Sequence, residues 1–166
     1  IPPQTDELCA AVGASDAAVG VIVDGDADRL GVVDEHGDYL DQLRTIALLA
    51  YYLLEHRQDL RPLVKTLTTT SMLERLGQIY AVHVEETGVG MKFVAPKMRE
   101  LDAVLGGEES GGYVFGAHMP ERDGIVAGLY FLDLMVREDK TPSELVQMLF
   151  AKLGREYHYH RHDLRF

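Results

Sequence analysis

From residue 41 onward two periodicities alternate along the chain, and this alternation restricts the fold more than any other feature. Asp41–His56 carries Leu43, Ile46, Ala47, Leu49, Ala50 and Leu53 at helical spacing, which predicts an amphipathic helix. Leu63–Leu67 then reads as a strand. Met72–Gly77 reads as a helix capped from Thr68-Thr69-Thr70-Ser71, and Ile79–Val84 as an alternating strand. A further helix follows Thr87–Gly90 and runs through Arg99. Ala103–Leu105 predicts a strand, Tyr113–Phe115 a returning one, and Asp123–Val136 an apolar helix. The capping box Thr141-Pro142-Ser143-Glu144, with Pro at the first helical position, opens a last helix to Leu153. Strands and helices alternating at this spacing imply an α/β fold: a three-layer α/β/α domain with a mostly parallel sheet.

Ahead of that domain lie a short helix, Thr5–Ala14, and two strand-like runs, Ala18–Val23 and Arg29–Glu35. One helix and two strands bury too little to stand alone. The expected organisation is therefore a helix-strand-strand piece of an adjoining domain over 1–38, the main domain over 39–153, and a linker over 154–166. The chain opens Ile1-Pro2-Pro3-Gln4, with neither an initiator Met nor a signal-like segment, and reads as a segment of a longer protein.

Charge and composition exclude several classes of function. The chain holds 27 acidic and 16 basic residues, a net charge of -11, with no basic stripe to neutralise phosphates, so no nucleic-acid partner is expected. No apolar run approaches the roughly 20 residues that span a bilayer, so no membrane partner is expected. A single cysteine, Cys9, precludes an internal disulfide framework and fits a reducing, cytoplasmic setting.

The strongest local signal is Val21-Ile22-Val23-Asp24-Gly25-Asp26-Ala27-Asp28-Arg29. Three carboxylates alternate with small residues at the end of an apolar strand, and they converge if the loop curls. Hard oxygen donors clustered in this way suit Mg²⁺ or Ca²⁺. Three functional readings are open at this point. Asp24, Asp26, Asp28 and Glu35 fit EF-hand positions 1, 3, 5 and 12, yet Arg29 stands where that loop needs Gly, and strands flank it. A haloacid-dehalogenase-like phosphatase would use Asp24 as nucleophile. A Mg²⁺ loop would place Arg29 beside a phosphate. An acidic surface turn is the plain structural alternative.

A second loop, Gly106-Gly107-Glu108-Glu109-Ser110-Gly111-Gly112, follows a strand. In an extended loop Glu108 and Ser110 point to one side. A carboxylate and a hydroxyl suit the vicinal hydroxyls of a sugar, whereas Glu108 and Glu109 would repel phosphate. A solvent-exposed hairpin turn explains the same residues equally well.

The two loops, in this order and about this far apart, resemble those of the alpha-D-phosphohexomutases, the phosphoglucomutases and phosphomannomutases. Thr87-Gly88-Val89-Gly90-Met91-Lys92-Phe93 and Arg122-Asp123-Gly124-Ile125 resemble two further segments of the family. The resemblance covers nearly the whole chain. It implies the end of domain two over 1–38, domain three over 39–153, and a linker towards domain four. The family's phosphoserine and phosphate loop lie in domains one and four, outside this chain, so the isolated chain is expected to be inactive. The resemblance further implies that Asp24, Asp26 and Asp28 bind Mg²⁺, that Arg29 lies near the transferring phosphoryl group, and that Glu108 and Ser110 hold sugar hydroxyls. Lys65 resembles a cleft lysine of some members and would contact substrate. The implied partners are a hexose phosphate, its hexose 1,6-bisphosphate, and the remaining mutase domains of the parent chain. Ala27 departs from the commoner Gly of the acidic loop, and Val89 and Gly112 stand where some members carry His. A non-catalytic sugar-phosphate-binding module is the alternative of a different class. His158, His160 and His162 read as solvated residues of the linker, and His83 as an outward strand residue.

Overall fold

The computed structural model describes residues 5–159. His160 and His162 lie outside them. Helix α1 (Asp6–Gly13) leads into strands β1 (Gly20–Val23), β2 (Leu30–Val33) and β3 (Tyr39–Leu40). These three pair antiparallel in the order β1-β2-β3. Tyr39 and Leu40, which the expected boundary assigns to the main domain over 39–153, thus extend the first sheet. The apolar run before the acidic loop was expected to be a buried strand. Instead Val21 and Val23 of β1 are exposed, and it is β2 that is buried throughout.

The remaining elements are α2 (Gln42–Glu55), β4 (Leu63–Thr66), α3 (Met72–Tyr80), β5 (Val84–Thr87), α4 (Met91–Leu101), β6 (Leu105–Gly107), β7 (Tyr113–Phe115), α5 (Gly124–Glu138) and α6 (Pro142–Leu153). The second sheet runs β5-β4-β6-β7. β4 is parallel to both β5 and β6, and β7 closes the edge antiparallel to β6. Alternate side chains divide the strands between two cores. Val64 and Val114 join Val94 and Met98 of α4 on one face. Leu63, Leu105, Tyr113 and Phe115 join α2, α3, α5 and α6 on the other. The fold is therefore the expected three-layer α/β/α arrangement with a mostly parallel sheet. Gly106 and Gly107 adapt β6 to both layers: a side chain at Gly106 would strike Val94 and Met98, and one at Gly107 would strike Ile46.

Helix α2 starts where Asp41 caps it, its side chain accepting from Arg44 N at 2.9 Å. It is not amphipathic as expected. Every residue from Thr45 to Leu54 is buried, because α2 packs against the sheet side of the core while α3, α5 and α6 cover its other faces. A helix that meets partners all round loses its polar stripe.

The expected strand Ile79–Val84 is displaced. α3 continues to Tyr80, Ala81 ends it in the left-handed region at φ 56°, and Val82 N donates back to Gly77 O at 2.8 Å. The strand is Val84–Thr87, which carries two glutamates. Likewise β6 begins at Leu105 instead of Ala103. At the last helix Glu144 reaches back to accept from Thr141 N at 2.9 Å, while the Thr141 hydroxyl donates to Glu35 at 2.7 Å and so anchors α6 to the first sheet. Among the described residues no helix is long and apolar enough to cross a membrane.

Candidate active site

The chain passes from β4 through α3 to β5 on one side, then from β5 through α4 to β6 on the other side of β4, so the strand order reverses between β4 and β6. Ligands of open α/β sheets bind at such a switch point, beyond the carboxyl ends of the strands. Here those ends carry Thr68 after β4, Thr87–Gly90 after β5 and Glu108–Gly112 after β6. Glu109 spans the switch: its Oε2 accepts from Thr66 Oγ1 at 3.0 Å and from Thr68 Oγ1 at 2.6 Å. Burial pushes the Glu109 carboxyl up, but the hydroxyls outweigh it and hold it below the ordinary value. Thr87 Oγ1 donates to Lys65 O at 3.3 Å, joining the ends of β4 and β5.

The acidic loop is the turn of the β1–β2 hairpin, closed by the Val23–Leu30 pair. Ala27 N donates to Asp24 O at 3.0 Å, and Ala27 takes a left-handed conformation, φ 58°. That curl brings the three carboxylates together. One oxygen from each of Asp24, Asp26 and Asp28 lies within 4.8 Å of the others. Strands flank the loop on both sides, which removes the EF-hand reading.

Arg29 holds the first of these carboxylates. Its Nε donates to Asp24 Oδ2 at 2.6 Å, while Asp28 N and Arg29 N both donate to Asp24 Oδ1 at 3.2 Å. Burial raises the Asp24 carboxyl, but the side-chain and backbone bonds from Arg29 prevail and keep it below its usual value. Asp28 Oδ1 is buried and receives no hydrogen bond among the described residues, with Arg29 Nε 3.5 Å away.

Of the two readings left open for the glycine-rich loop, an extended segment or a hairpin turn, the structure has the tight turn of the β6–β7 hairpin. Glu108 N donates to Gly112 O at 3.1 Å and Gly111 N to Glu108 O at 3.3 Å. Gly111 turns at φ 93° against Leu30 O, where a side chain would collide. Glu108 is buried, and Ser110 Oγ is a buried hydroxyl without a partner among the described residues.

The two loops meet. Arg29 and Gly112 form an antiparallel bridge, and Leu30 N donates to Gly111 O at 3.0 Å. Asp24, Asp26, Asp28, Arg29, Glu108 and Ser110 therefore share one surface. Lys65 does not join them: it is buried on β4 with its Nζ 2.9 Å from Glu74 Oε1 and 2.7 Å from Glu86 Oε2. Burial alone would lower the Lys65 ammonium, but the bonds from Glu86 and Glu74 raise it overall. Arg122, which sequence reasoning noted only as part of a motif, belongs to the site. It pairs with Asp28 Oδ2, and its Nη1 donates to Glu108 Oε2 at 3.1 Å. The neighbouring Asp123-Gly124 was the available signal. Asp123 caps α5 by accepting from Val126 N at 2.8 Å, and Gly124 N donates to Ala27 O at 2.9 Å, so the start of α5 is pinned to the acidic loop.

An α/β/α domain with an acidic hairpin turn docked on a Glu-x-Ser turn is thus the frame of the site. Residues 41–153 match the model of the phosphoglucomutase/phosphomannomutase alpha/beta/alpha domain III. The phosphoglucosamine mutase of Campylobacter hominis is 39% identical over 134 residues, which cover 80% of this chain and 30% of that relative. The solved structure of a Thermus thermophilus protein described as a phosphomannomutase superposes with TM-score 0.86 at 34% identity, covering 93% of this chain and 35% of that one. A phosphoglucomutase/phosphomannomutase family protein from Burkholderia thailandensis superposes with TM-score 0.80 at 29% identity, over 87% of this chain and 32% of that one. The chain belongs to the alpha-D-phosphohexomutase family. It spans about a third or less of the length of these relatives.

Proposed function

We propose that this chain supplies the metal loop and the sugar-hydroxyl loop of a mutase that interconverts hexose 1-phosphate and hexose 6-phosphate. In this reading the phosphoryl group passes through a phosphoserine and a bisphosphate intermediate, and the phosphoserine comes from a part of the parent outside these residues. The observation that carries the proposal is the joining of the two loops through Arg29 and Gly112, which sets three aspartates beside Glu108 and Ser110.

The donor set fits a hard divalent cation: all-oxygen, tightly grouped, with Asp28 Oδ1 buried and unbonded among the described residues. Asp24, Asp26 and Asp28 would hold Mg²⁺, which would supply neutralisation of charge on a transferring phosphoryl group. Arg29 orients Asp24 and keeps it ionised. Glu108 accepts from sugar hydroxyls, and Ser110 Oγ, buried and unbonded, gains a partner when a hydroxyl arrives. Lys65 is a proposed cleft cation whose ammonium is held in place by Glu74 and Glu86. The isolated chain, lacking the phosphoserine, is inactive in this proposal.

The test is Asp26→Asn in the full-length protein that contains this chain. Asp26 is exposed, so the fold should survive. Turnover of glucose 1-phosphate, glucosamine 1-phosphate or mannose 1-phosphate to the 6-phosphate, followed by phosphorus NMR with Mg²⁺, should fall by at least the roughly 10–100-fold that an outer-shell partner costs. Unchanged turnover overturns the metal assignment. Inorganic phosphate as product supports the phosphatase, and sugar-phosphate binding without turnover supports the binding module.

A further inference from the structure

Among the described residues, Arg122 is the one side chain that bonds to a carboxylate of each loop. Its planar fork offers Nη2 to Asp28 Oδ2 and Nη1 to Glu108 Oε2 at 3.1 Å. Its backbone has little freedom to move. Asp123 N, one residue on, donates to Tyr113 O at 3.1 Å, and Gly124 N donates to Ala27 O. Its aliphatic stem lies over Gly112, where any Cβ would collide with Arg122 Cδ. The guanidinium is thus delivered to a fixed place by a segment tied to the acidic hairpin and to β7. Both of its partners are constrained in turn. The Glu108 side chain is 9% exposed and takes its hydrogen bond from Arg122. Asp28 spends one oxygen on Arg122 and keeps the other buried and unbonded.

We propose that Arg122 is a positioning residue that couples the metal loop to the sugar loop. With Oδ2 of Asp28 committed to Arg122, Asp28 offers a cation a single oxygen, and the same guanidinium sets the direction in which buried Glu108 presents its remaining oxygen to a sugar hydroxyl. Perturbing either carboxylate is then felt at the other through one rigid group. Removing Arg122 leaves a buried carboxylate uncompensated beside three aspartates, a cost that a neutral side chain cannot offset. This inference rests on the mutase reading above.

The experiment uses the full-length protein, with Mg²⁺ and the hexose 1-phosphate it turns over (glucose 1-phosphate or glucosamine 1-phosphate) as probes. Arg122→Gln should raise the Mg²⁺ half-saturation and the sugar-phosphate KM together, each about tenfold, the scale of losing one hydrogen bond to a charged group. Gly112→Ala, which crowds the Arg122 stem and leaves its charge in place, should shift both in the same direction. Glu108→Gln should raise the Mg²⁺ half-saturation although Glu108 is not assigned to the metal, and should cease to do so in the Arg122→Gln background. Arg122→Lys, a point charge unable to hold both partners, should restore thermal stability without restoring that coupling. A purely structural role would lower the melting temperature in Arg122→Gln and leave both half-saturations within twofold of wild type. That outcome, in an active wild-type protein, overturns the inference. A wild-type protein with no Mg²⁺-dependent turnover of either sugar phosphate overturns the mutase reading instead, and the coupling with it.

Discussion

Arg29 and Gly112 face each other across an antiparallel bridge that belongs to neither sheet. The turn of one hairpin is thereby fastened to the turn of another, and the acidic residues and the Glu-x-Ser turn keep a set separation. Gly112 takes part without a side chain, and the space above it holds the stem of Arg122. That stem carries a cation to the junction from just ahead of α5.

The same junction sets the first stability prediction. A Cβ at Gly124 would lie 2.7 Å from Arg29 O and 3.0 Å from Ala27 O, both backbone atoms that cannot swing aside. Gly124→Ala should destabilise the protein by about 1–3 kcal/mol, read from the midpoint of urea unfolding. A change below about 0.5 kcal/mol would show that the α5 start is free to move off the acidic loop.

Ala27 offers the opposite case. It sits at φ 58°, a region where a Cβ costs roughly 1–2 kcal/mol and glycine pays little. Ala27→Gly should stabilise the folded state by about 1 kcal/mol at most, since glycine also gains freedom when unfolded. The expected observation is a small rise in the unfolding midpoint with no change in slope.

Tyr39 carries a pH signature. Burial raises its hydroxyl to about 12 from an ordinary value of 10, with the Gln42 bond opposing and Asp41 adding to the rise. The folded state therefore prefers the neutral phenol. Its contribution to stability is fully present below pH 10 and is lost as pH rises from about 10 through about 12. Unfolding free energy from urea titrations at successive pH values should show this loss in wild type and a shallower one in Tyr39→Phe. Equal slopes would mean that Tyr39 is not the group involved.

The core prediction concerns Phe131 of α5, fully buried within the cluster that also holds Tyr52, Phe115 and Leu49. Phe131→Ala should cost about 3–5 kcal/mol, because a cavity remains where helices on several sides cannot all collapse inward. A loss under about 1 kcal/mol would indicate that α5 repacks freely.

Much of the fold is legible residue by residue. Thr141-Pro142-Ser143-Glu144 and Asp123 mark helix starts that the structure confirms, through the Glu144 bond to Thr141 N and the Asp123 bond to Val126 N. Ile79–Val84 was misleading because Ile79 and Tyr80 follow Leu76 at helical spacing as well as alternating with their neighbours. The strand at Val84-Glu85-Glu86-Thr87 has no apolar pattern of its own, and exists through pairing with β4, where Lys65 stands opposite Glu86 and bonds it. The burial of α2 on all sides was equally hidden, since it depends on where α3, α5 and α6 come to rest.

Asp24-Gly25-Asp26-Ala27-Asp28-Arg29 by itself determined that an oxygen-rich cluster could form, because carboxylates at alternate positions converge on any tight curl. The alternation of strand and helix determined a layered α/β domain, because each period buries one kind of face. Tertiary structure alone decided that the curl would be a hairpin turn, that it would dock on Gly111 and Gly112, and that Arg122 would reach back to Asp28 and Glu108 from a distant point along the chain. It also took Lys65 away from that cluster and gave it to Glu74 and Glu86. Local patterns encode which backbone shapes are cheap, whereas the pairing of distant charges depends on the crossing of strands that no short window of sequence contains.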